Sequence, residues 1–137
     1  MKNRFILALV VVFLSLSYQV HACTVIKAVY WKHTDDKEWK LRDKAWAITI
    51  PEGVDADIWA SMGHPKVEGA VYYFSKIKCG VKNASADVSL EVDKIPMDGK
   101  WDVIWKKEAM EFEYSKVYPF YYDVLDRNFM VYMEFRN

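Results

Sequence analysis

Ala86-Asp87-Val88-Ser89-Leu90-Glu91-Val92-Asp93 alternates strictly between apolar and polar side chains. Successive side chains of a β-strand point to opposite faces, so this segment reads as a strand with one face on a core and the other in water. The same period runs outward from it. Val67, Gly69, Val71, Tyr73, Ser75, Ile77, Cys79 and Val81 fall on one face of a long extended stretch, with Lys76, Lys78 and Lys82 on the other. Met110, Phe112 and Tyr114 alternate with Glu111 and Glu113, and Phe129, Val131, Met133 and Phe135 share a face near the C-terminus. Residues 24–31 and 39–50 are rich in β-branched and aromatic side chains and also read as strands. The alternation slips near Asp43-Lys44, which predicts a bulge there.

Turn residues separate these runs. Asp98-Gly99 is a strong hairpin signal, and Asp126-Arg127-Asn128 divides the last two strands. Lys106-Lys107-Glu108 and residues 82–85 read as further reversals. One helix is expected near 53–62. Val54, Ile58 and Met62 recur at i, i+4 and i+8, Asp55 and Asp57 suit the first turn, and Gly63 then Pro65 suit its end. The fold class expected is all-β, or β-rich α+β: a small antiparallel β-sandwich or open barrel of about seven strands with that one short helix.

Lys2 and Arg4 precede a nearly unbroken apolar run over 5–16, too short to span a bilayer, and Val20-His21-Ala22 suits a signal peptidase. The expected organisation is a cleaved signal peptide, 1–22, and a single β-rich globular domain, 23–137. Cleavage would leave a net charge of −2, because 19 basic and 19 acidic residues balance in the whole chain and two basic ones would be lost. That balance counts against nucleic acid as a partner, which requires a basic footprint. Five Gly and four Pro exclude collagen-like and low-complexity classes. No second apolar run approaches spanning length, so secretion or a periplasmic location follows.

Cys23 and Cys79 are the only cysteines. In an exported chain an even count suggests a disulfide. The alternative is lipidation at Cys23, because Ala22-Cys23 resembles the end of a lipobox, although Val20 and His21 depart from that pattern. In that case Cys23 would anchor the chain at a membrane surface. Asn83-Ala84-Ser85 is a glycosylation sequon, and Asn83 reads first as a turn residue.

No nucleophile elbow, phosphate loop or paired metal-ligand motif occurs, so no catalytic residue, metal or cofactor is assigned. His33 lies near Asp35 and Asp36 and could serve as a base, but reads as part of a polar loop. Met62-Gly63-His64 has a copper-like spacing without the further ligands copper needs. Glu111 and Glu113 share a strand face at a separation that suits paired carboxylates, yet they alternate with apolar residues and read as the wet face. Trp101 and Trp105 alternate with Val103 and read as core.

Aromatic residues make up 16% of the chain, and Phe112, Tyr114, Tyr118, Phe120, Tyr121 and Tyr122 crowd one short segment. Tyr121 and Tyr122 must point to opposite strand faces, and Pro119 favours an edge or loop. The sequence therefore predicts a non-enzymatic exported binding protein of inhibitor, immunity or accessory-subunit type. Its partner would be another protein, met through Tyr118, Phe120, Tyr121 and Tyr122 with a rim of Glu111, Glu113 and Asp123. The alternatives are a carbohydrate-binding module that stacks a glycan on exposed rings, and a small periplasmic or secreted hydrolase using His33 or His64.

Overall fold

The computed structural model describes residues 21–42, 44–95 and 98–137. The expected signal peptide lies outside the described residues except for His21 and Ala22, and so does Asp43 of the expected bulge. Nine strands occur among the described residues: β1 (Cys23–His33), β2 (Lys40–Leu41), β3 (Trp46–Ile50), β4 (Ala56–His64), β5 (Glu68–Cys79), β6 (Asn83–Asp93), β7 (Asp102–Glu113), β8 (Val117–Val124) and β9 (Arg127–Arg136). They form two antiparallel sheets. One is ordered β2-β1-β9-β8, with β3 also pairing β1; the other is β4-β5-β6-β7. This is a small all-β sandwich. Strands exceed the expected seven partly because 39–50 divides into β2 and β3, both on β1.

Between the sheets lie Val25, Ile50, Phe74, Ile77, Val88, Val92, Phe112, Val131, Met133 and Phe135, all fully buried. The alternation of 86–92 holds, with Ala86, Val88, Leu90 and Val92 inward, but Asp93, expected in water, is buried. So does the set Phe129, Val131, Met133 and Phe135. The Cys23–Cys79 disulfide ties the start of β1 to the end of β5 across the two sheets. Disulfides form and persist mainly in oxidising compartments. A sulfur bonded to Cys79 has no valence for a thioether, so the lipid anchor at Cys23 does not fit this structure. No helix among the described residues is long and apolar enough to cross a membrane.

The expected helix near 53–62 is absent. The segment from Ala56 is strand β4, with Ile58, Ala60 and Met62 inward and Trp59 and Ser61 outward. A spacing of four residues satisfies both the helical and the strand period, so Ile58 and Met62 could not separate them. Ala60, fully buried midway between them, decides for the strand, while Val54 stands exposed before it. Asp57 has a different use from the one expected. Its carboxylate accepts the Tyr73 hydroxyl at 2.8 Å and the Lys76 backbone N–H at 3.2 Å.

Lys76 adopts φ 51° within a register shift between Ser75 and Lys78. This bulge switches the inward face of β5 from Ala70, Tyr72 and Phe74 to Ile77 and Cys79. The face expected for 67–75 is therefore the outer one. Lys106-Lys107-Glu108 is not a reversal either, because β7 runs through it and bulges at Ala109, φ 49°. Asp98-Gly99 does mark the β6–β7 hairpin, with Gly99 at φ 73°.

At Gly63 the chain has φ 120°, and a Cβ would lie 2.6 Å from the Glu68 carbonyl oxygen and 2.8 Å from the Ala70 nitrogen. Gly63→Ala is therefore expected to destabilise by about 2 kcal/mol or more, read as a lowered midpoint in urea.

On β9, Glu134 is buried on the outer side. It accepts two hydrogen bonds from the Arg136 guanidinium, at 3.0 and 3.2 Å, and one from the Tyr132 hydroxyl at 3.0 Å. The guanidinium chiefly holds this carboxyl below its usual range. A depressed carboxylate stabilises the fold above its unfolded pKa and loses that contribution as pH falls through the folded value. The thermal midpoint of Glu134→Gln should lie below that of the parent at neutral pH. The gap should close between about pH 5 and pH 3, a window set by the unfolded Glu value near 4.3.

Candidate functional site

The expected surface separates into parts. On β8, an edge strand, Phe120 faces inward, and its ring packs against Tyr72, Phe74 and Phe112 at 5.3–6.4 Å between centroids. Phe120 is buried and does not belong to an accessible surface. Tyr118 and Tyr122 are half-buried against the core, and the Tyr118 hydroxyl accepts the Glu113 backbone N–H at 2.8 Å. Tyr121 points outward, 56% exposed, with Asp123 two residues on along the same face. Glu111 and Glu113 are exposed, but on the outer face of β7 in the other sheet. Of the expected set, the structure brings Tyr121 and Asp123 together. Trp39, from the loop after β1, joins Tyr121 at 6.4 Å between ring centroids.

None of the six tryptophans is buried. Trp31 and Trp39 are half-buried, and Trp46, Trp59, Trp101 and Trp105 are 38–59% exposed. Trp101, just before β7, and Trp105, within it, were expected in the core, but the first eight residues of β7 are exposed on both faces. That half of β7 is the border of its sheet, and the core extends along β7 only to Phe112. Trp105 meets Tyr72 edge-on, and Trp101 lies over Gly69, where a Cβ would come within 3.2 Å of its ring.

A cleft of about 670 Å³ opens at one end of the sandwich. Its walls follow from the strand pattern, because four inward faces continue past the core. Val29 is followed by Trp31 on β1, Met62 by His64 on β4, Ala70 is preceded by Glu68 on β5, and Phe129 by Arg127 on β9. Trp101, Asp93 and Arg42 complete it. The Arg127 guanidinium lies 5.1 Å over the Trp31 ring, and that of Arg42 lies 6.0 Å over Phe129. Arg42 also donates from Nη1 to the Ser61 carbonyl at 2.8 Å. Neither arginine has a carboxylate within ion-pair distance among the described residues.

Two buried polar atoms in this cleft lack partners among the described residues: Asp93 Oδ1 and Arg127 Nε. Asp93 is only 5% exposed. Burial, with the Asp98 carboxyl beside it, raises its carboxyl above the usual range, against the backbone N–H groups of Ile95 and Gly99. Buried polar groups are nearly always paired, so these two atoms hold hydrogen-bonding capacity that the described residues leave unused.

At the lip of the cleft, Asp126 in the β8–β9 turn meets both histidines singled out from the sequence. Its oxygens lie 3.4 Å from His64 Nε2 and 3.8 Å from His33 Nδ1. The turn, rather than the neighbouring Asp35 and Asp36, supplies the carboxylate. No group of three or more His, Cys, Asp or Glu suited to a metal occurs among the described residues. Sequence reading missed Asp93, Arg42 and Arg127. Only Arg127 left a signal, as a charged residue continuing the apolar alternation of β9.

No family model, curated protein or solved structure matches this chain.

Proposed function

We propose that this chain is exported and acts as a non-enzymatic binding protein, gripping another protein through rings held outside its core. An inhibitor, an immunity factor or an accessory subunit would all work this way. The observation that supports this reading is the absence of every tryptophan from the buried set, although a small sandwich has large rings available to fill it. Trp and Tyr dominate binding hot spots because they bring large rigid area at low entropic cost. Trp39 and Tyr121 form the centre of this surface and Asp123 its rim. The test is capture of the partner from the chain's own periplasm or culture medium by the immobilised mature protein. Trp39→Ala with Tyr121→Ala should weaken capture by about thirtyfold, the effect of a hot spot of about 2 kcal/mol. Undiminished capture rejects the surface.

A second reading, a carbohydrate-binding module, is favoured by the cleft. There the exposed Trp101 ring stands beside polar side chains with unused hydrogen-bonding capacity. Quenching of tryptophan fluorescence by saccharides is its test.

A further inference from the structure

Resting on the second reading, the cleft's chemistry narrows the class of sugar. Its charged side chains are Arg42 and Arg127 against Glu68 and Asp93. Both guanidiniums are held by ring faces, and neither is neutralised by a carboxylate among the described residues. A guanidinium offers a fork of donors matched to a carboxylate, and Arg127 has its Nε–H buried and unmatched. Arg127 can therefore meet an anion through that edge. Asp93 Oδ1 is likewise buried with no partner among the described residues. A carboxylate oxygen placed so can accept the hydrogen bond of a hydroxyl. Trp101 adds an exposed indole, the surface on which a pyranose places its C–H face.

We propose that this cleft binds an acidic sugar, with Arg127 taking the carboxylate on its Nε edge, Asp93 accepting a ring hydroxyl and Trp101 carrying the apolar face of the ring. Arg42 adds a second positive charge that favours the anion over neutral sugars. The site shares no residue with the Trp39–Tyr121 surface.

The test titrates the full mature chain with D-glucuronate, with the neutral analogues D-glucuronamide and D-glucose, and with a glucuronate-containing oligosaccharide, following tryptophan fluorescence. Glucuronate should bind at least about tenfold more tightly than either neutral analogue, a difference of about 1.4 kcal/mol. Arg127→Lys, which keeps the charge and removes the fork, should lose most of that preference while its circular dichroism spectrum stays that of the parent. Tighter binding of the oligosaccharide assigns the site to a glycan chain, and equal binding assigns it to a free or terminal acid; either supports the proposal. Equal binding of glucuronate and glucose overturns the acidic-sugar assignment and leaves the carbohydrate reading standing. No binding of any saccharide at millimolar concentration overturns both.

Discussion

Phe112→Ala is expected to destabilise the protein by about 3–5 kcal/mol, the largest effect of any single side-chain truncation. Phe112 is fully buried where the two sheets meet. Its ring touches Phe135 at 4.8 Å, Tyr118 at 4.9 Å and Phe120 at 6.4 Å between centroids, so one ring joins β7 to both β8 and β9. Removing it opens a cavity bordered by three rigid rings that cannot collapse into the space. Chemical unfolding with the slope unchanged and the midpoint sharply lowered is the expected readout. A Phe112→Leu variant should recover more than half of the loss. Equal losses for Leu and Ala would mean that ring contacts, rather than filled volume, account for the effect.

Loss of the Cys23–Cys79 bridge should cost nearly as much. The bond joins residues 56 apart in sequence and closes almost half of the described chain into a loop. In the chain-entropy view a loop of that length stabilises by about 4 kcal/mol, and removal of one native disulfide from a small secreted domain costs about 2–5 kcal/mol. The start of β1 is the segment most exposed to the change. Beyond the bridge it is held by β3, by β9 and by the His21 N–H on the Cys79 carbonyl at 2.7 Å. Cys23→Ala with Cys79→Ala should lower the thermal midpoint by well over 10 °C, at about 4–8 °C per kcal/mol for a domain of this size. Reduction of the parent should have the same effect. A shift of only a degree or two would show that β1 is held by its strand partners alone.

The all-β class was legible because strict alternation survives in single segments, and 86–93 and 129–135 have their inward sets as read. Three features defeated the reading, each for a physical reason. Ile58 and Met62 fit two periods at once. The bulge at Lys76 inverts the face of β5 midway, and nothing in Ser75-Lys76-Ile77 announces φ 51° at a lysine. Trp101 and Trp105 have the alternation of a core, but a strand pattern states which residues share a side and not whether the opposite sheet reaches far enough to cover them. For the candidate site, Tyr121 was legible from the position of Pro119, with which it shares an outward face. The cleft was not, because its residues come from five strands and three loops separated along the chain. Only folding brings Asp93 and Arg127 to one opening.

One border of the second sheet is closed by salt-bridge-capable side chains used as hydrogen-bond donors. Lys27 Nζ and Arg42 Nη1 occupy the Trp59 and Ser61 carbonyls of β4, each at 2.8 Å. The opposite border, β7, exposes Val103, Ile104 and Trp105. A strand added along β4 would have to displace two cationic side chains from carbonyls it would itself use, which guards that border against edge-to-edge pairing.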